Sequence, residues 1–65
     1  MIIEHLATEN GSYEILETPT KNQYTINFFS IDGVKFKTIA KSATDLNEIR
    51  KQALSTLQEI QLLNE

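Results

Sequence analysis

The chain contains no cysteine and no tryptophan, one proline, one histidine and two glycines in 65 residues. Without cysteine there are neither disulfides nor thiolate metal sites, which fits a reducing compartment. A fold this small buries only about 60% of its chain surface, so its core is thin. Domains of this size often add a disulfide, a metal or a partner subunit; with the first closed off, self-association is the expected extra source of stability. No apolar run approaches the roughly 20 residues needed to cross a membrane. The opening MIIEHLATEN lacks the basic start and apolar segment of a secretory leader, so a cytoplasmic location is expected, with no membrane partner. Asn10-Gly11-Ser12 matches a glycosylation sequon, but Asn10-Gly11 reads better as a turn.

Apolar residues make up 40% of the chain and charged residues 23%, a globular balance. The formal net charge is −3, which argues against general nucleic-acid binding. Its distribution is uneven. Residues 1–20 hold Glu4, Glu9, Glu14 and Glu17 with no Lys or Arg, whereas residues 21–41 hold Lys21, Lys35, Lys37 and Lys41 against Asp32 alone.

Asn10-Gly11 and Asp32-Gly33 are hairpin turn signals, because Gly accepts positive φ and Asn or Asp tolerate it. The flanking segments IIEHLAT, SYEILET, YTINFFS and VKFKTIA are rich in β-branched and aromatic residues. They predict antiparallel strands near 2–8, 12–18, 23–30 and 34–41, with Pro19 between the hairpins because it cannot donate to a ladder. For the second hairpin, a two-residue loop would set Phe28 opposite Lys37 and mix the two faces. A three-residue loop, Ile31-Asp32-Gly33, with Gly33 left-handed, segregates them. Tyr24, Ile26, Phe28, Val34, Phe36, Thr38 and Ala40 then share one face. Thr25, Asn27, Phe29, Lys35, Lys37, Ile39 and Lys41 share the other.

From residue 43 the period becomes helical: Leu46, Ile49, Ala53, Leu57 and Ile60 form one stripe. Ser42, Thr44 or Asp45 caps its start, with Glu48 three residues after Asp45 as in a capping box. The expected fold is one α+β domain over residues 1–65. It is an antiparallel meander of three to four strands followed by a C-terminal amphipathic helix, packed on the Tyr24/Ile26/Phe28/Phe36 face.

Chemistry is sparse. His5 is the one candidate base for a nucleophilic site, and no serine stands in a nucleophile motif. Glu4, His5 and Glu9 lack metal-ligand spacing. Glu4 and Glu17 would face each other across a two-residue Asn10-Gly11 turn, a possible acid/base pair; exposed edge carboxylates are the plainer reading. Both glycines belong to turns, so no phosphate-binding loop remains. The chain is expected to be no enzyme and to need no cofactor.

One helix cannot cover both sheet faces. Phe29, Ile31, Ile39 and Leu16 are therefore expected to leave an apolar patch, with Lys35, Lys37 and Lys41 around it, and such patches commonly mark interfaces. The expected function is a small protein-interaction module (adaptor, inhibitor or regulator) that self-associates, as a homodimer, through the face free of the helix, and binds another protein. Lysines on an edge strand also serve simply to discourage sheet-to-sheet pairing. The alternative is a nucleic-acid-binding sheet using Lys35, Lys37, Lys41 and Phe29. Strands followed by a helix resemble the DNA-binding arm domains at the front of tyrosine recombinases, but YTINFFSIDGVKFKTIAK carries far fewer basic residues than that pattern.

Overall fold

The computed structural model describes residues 2–63, with side-chain burial described through Glu59. Four strands, β1 (Ile2–Thr8), β2 (Gly11–Glu17), β3 (Gln23–Phe29) and β4 (Lys35–Ser42), form one antiparallel meander, followed by the helix α1 (Leu46–Leu63). This is the α+β architecture expected from the two turn dipeptides and the change of period. β1 and β4 are the sheet edges.

Each turn departs from the simplest form of its dipeptide. In the first hairpin Thr8 pairs with Gly11, so the loop is Glu9-Asn10 and Gly11 already belongs to β2. The Thr8 hydroxyl accepts the Asn10 N–H at 3.2 Å and donates to the Gly11 carbonyl at 3.0 Å. In the second hairpin the Ser30 N–H donates to the Val34 carbonyl and the Gly33 N–H to the Ser30 carbonyl, both at 2.9 Å. Gly33 has φ +85°. That is the three-residue loop with a left-handed glycine that facial segregation predicts.

Two strand bulges then reset the faces. Ile3 is the extra residue of β1, between the pairs Ile2–Leu16 and Glu4–Ile15. Phe36 is the extra residue of β4, between Phe29–Lys35 and Phe28–Lys37. The expected register therefore holds at the turn and slips by one at Phe36. Beyond it Lys37, Ile39 and Lys41 stand on the helix side, opposite Phe28, Ile26 and Tyr24, while Thr38 and Ala40 move to the helix-free face. Phe36, expected in the core, is 44% exposed.

Two local gains accompany the slip. Ile39 replaces Thr38 beside the buried Ile26 and packs against the core. On the other face the Thr38 hydroxyl donates to Asn27 Oδ1 at 2.8 Å, and Asn27 Nδ2 donates to Glu14 Oε1 at 2.9 Å. Each such bond contributes about 1 kcal/mol net. Val34, also expected inward, lies outside β4 and is 63% exposed.

Tyr13, Ile15, Ile26, Phe28, Ile49, Ala53 and Leu57 form the buried core. The first four come from the helix side of β2 and β3 and the last three from the predicted stripe of α1. Ile60, the stripe's last member, lies outside the residues whose side chains are described. Asp45 caps the helix, its Oδ1 accepting the Asn47 N–H at 2.9 Å.

The helix packs against β2 and β3, and width explains why it stops there. Strands about 4.8 Å apart put the outer two axes about 14 Å apart, whereas a helix with its side chains is about 10 Å wide. The helix side of each edge strand is left uncovered.

Candidate functional site

The seven residues expected to form one interaction surface do not gather on one face. Leu16, Phe29 and Lys35 stand on the helix-free face, Lys37, Ile39 and Lys41 on the helix side, and Ile31 in the second turn, 77% exposed. Leu16 and Phe29 are not neighbours either. Phe29 pairs with Ser12, four residues along β2 from Leu16, a separation of about 13 Å. Between them runs the polar row Glu14–Asn27–Thr38. The helix-free face therefore has a polar middle and two small apolar corners.

The same split bears on nucleic-acid binding. An interleaved lysine-and-aromatic surface requires Phe29 beside Lys37 and Lys41, and the Phe36 bulge sends those groups to opposite faces.

Residues considered for chemistry are equally dispersed. His5 is exposed on β1 and pairs across the sheet with Glu14. Glu4 pairs with Ile15 and Glu17 with Tyr24, so the expected Glu4–Glu17 pair does not form; beginning the loop at Glu9 shifts the register by two. No cluster of three His, Cys, Asp or Glu suited to a metal ion occurs among the described residues. Two shallow depressions meet at the β2–β3 connection around Thr18, Gln23 and Tyr24, and His5 lines neither. No helix is long and apolar enough to cross a membrane among the described residues.

What the sequence alone did not reveal is a charged contact on the β1 flank. The Arg50 Nε–H donates to both oxygens of Glu4, at 2.7 and 2.9 Å, and its Nη1 donates to Asn47 Oδ1 at 2.7 Å. This is the one ion pair among the described residues. It ties the edge strand to the helix across 46 positions of chain, a spacing no local pattern announces. Glu4 also faces Tyr13: burial pushes the Tyr13 phenol above its ordinary value of 10.0, and the Glu4 charge, with its oxygen accepting the phenol proton, pushes the same way. Arg50 opposes both.

On this flank Leu6 is 41% and Leu54 38% exposed. Leu6 follows Glu4 by two on the strand and Leu54 follows Arg50 by four on the helix, so the Arg50–Glu4 contact sets the two leucines on the same flank. On the opposite flank Lys37, Ile39 and Lys41 alternate with outward residues along β4, and Ile39 alone is partly covered. Compared with known protein families, characterised proteins and solved structures, the chain matches none. Function is therefore argued from these two flanks.

Proposed function

We propose that the chain is a small, non-enzymatic, cytoplasmic protein-interaction module that self-associates as a two-fold dimer. One observation supports this reading: α1 packs on the two middle strands, leaving apolar side chains of the helix side in water at both edges. The polar row on the helix-free face argues against that face as the contact, so the dimer surface moves to the β1 flank. Leu6 and Leu54 supply its apolar part, and the charges beside them, Glu4 and Arg50, already neutralise each other. A two-fold operation brings the same patch of both copies together. Here it places apolar on apolar with no like charges opposed. Burial contributes roughly 25 cal/mol per Å² of apolar surface, offset in part by lost translational and rotational freedom.

Light scattering at high micromolar concentration tests the reading. The expected mass is twice the 7.4 kDa of the chain, returning to the single mass in the double variant Leu6→Lys with Leu54→Lys, its circular dichroism unchanged. A wild-type monomer at that concentration sinks the dimer. A dimer indifferent to those substitutions but broken by Phe29→Lys returns the contact to the helix-free face.

A further inference from the structure

The second flank differs from the first in charge. Lys37, Ile39 and Lys41 share the helix side of β4 as partners of Phe28, Ile26 and Tyr24. Ile39 is half-buried against the core, both lysines are exposed, and the bulged, exposed Phe36 precedes them. Neither lysine has a carboxylate within ion-pair distance among the described residues, where Arg50–Glu4 is the one pair. Arg50 faces β1. Gln52 and Thr56, about 200° and 240° further round the helix, lie on the β4 side and bring no charge. The flank is an apolar floor with cationic rims and one uncharged wall.

Its dimensions suit a helix. Two packed helices have axes about 8–10 Å apart, and β4 lies about 7 Å from the midline between β2 and β3. A second helix laid against α1 would run above β4, over Ile39. An added strand suits the same edge poorly, because the Phe36 bulge interrupts the backbone row it would pair with.

We propose that this flank docks an amphipathic α-helix of another protein, apolar toward Ile39 and Phe36 and bearing Asp or Glu toward Lys37 and Lys41. A second copy of this chain fits less well. A two-fold contact through β4 would set lysine against lysine, and the exposed Leu54 of α1 is flanked by the cations Arg50 and Lys51. Nucleic acid fits less well too, since its phosphates would lie on an isoleucine floor in a chain of net charge −3. The proposal rests on the chain being an interaction module but uses the flank opposite the dimer surface, so scattering and titration fail separately.

The test is an NMR titration of the isotope-labelled full chain with two synthetic helical peptides. They share one leucine stripe and carry either Glu or Lys along its rims; a single-stranded oligonucleotide is the third titrant. The Glu peptide is expected to shift the amides of residues 37–41 together with Gln52 and Thr56. Lys37→Glu with Lys41→Glu should weaken it about ten-fold and confer binding of the Lys peptide, with circular dichroism unchanged. Absence of shifts overturns the proposal, as do equal shifts from both peptides, shifts confined to β1, or stronger perturbation of the same amides by the oligonucleotide.

Discussion

The two hairpins start from similar material, seven- or eight-residue strands joined at a glycine-containing turn, and end in different states. In the first, the edge strand is tied to the helix through Arg50–Glu4, and Gly11 is buried beneath the end of the core. In the second, every residue of the edge strand except Ile39 is exposed, and the turn stands free, with nothing near Gly33. The difference teaches that one helix stabilises what it reaches. β4 is held by its ladder to β3 and one apolar contact, so its sequence is freer to serve a surface role.

The largest expected effect separates two phenylalanines of the second hairpin. Phe28 is fully buried, and Phe28→Ala should cost about 3–5 kcal/mol. Phe36→Ala, at the exposed bulge, should stay within about 1 kcal/mol. Urea unfolding of both variants checks this. A Phe36 variant as damaged as the Phe28 variant would mean that the bulge is absent and Phe36 packs inside.

Next come the glycines. A Cβ on Gly11, at φ +133°, would meet the Phe29 carbonyl oxygen closer than side chains tolerate, with Leu57 just beyond. Gly11→Ala should cost on the order of 3 kcal/mol. Gly33→Ala has open space and only its φ of +85° against it, so about 1 kcal/mol is expected. Equal costs in thermal unfolding would erase the contrast between an embedded turn and a free one.

Arg50→Ala should cost about 1 kcal/mol, since the pair is partly exposed and such contacts are screened. Lys41→Ala, with no partner on the opposite edge, should cost nothing measurable. Hydrogen exchange sharpens the comparison: loss of Arg50 should speed exchange in β1 and leave β4 unchanged.

The strand order, the helix stripe and the three-residue second loop were all legible in the sequence because each rests on local chemistry: a turn dipeptide, an alternation, a period. The faces of β4 were not. Binary patterning favoured Phe36 inward because Phe is more apolar than Lys. That rule assumes the helix reaches β4, and it omits the hydrogen bonds that Thr38, Asn27 and Glu14 form only after a one-residue slip. The apolar surface read from Phe29, Ile39 and Leu16 failed for the same reason: its members depend on register, and a single bulge redistributes them. Arg50–Glu4 was invisible because its partners are 46 residues apart.

The smallest effect at neutral pH concerns Tyr13, which the first hairpin buries against Glu4. Its phenol titrates above the ordinary value of 10.0, first because burial penalises the phenolate and then because the Glu4 charge repels it and its carboxylate accepts the phenol proton. The unfolded chain releases this proton near 10.0, earlier than the folded one does. Stability tied to the neutral phenol is therefore fully present below pH 10 and is lost progressively as pH rises through the folded value. Tyr24, on the second hairpin, is half-buried and is the internal control. Urea unfolding of the wild type should be flat in midpoint between pH 7 and pH 9 and fall above pH 10, with Tyr13→Phe reducing that fall and Tyr24→Phe leaving it in place. Arg50 draws the phenolate toward ionisation, so Arg50→Ala should steepen the alkaline loss even as it lowers stability at neutral pH. If Tyr13→Phe instead follows the wild-type curve throughout, the alkaline transition belongs to other groups and the first hairpin holds no protonation-dependent contact.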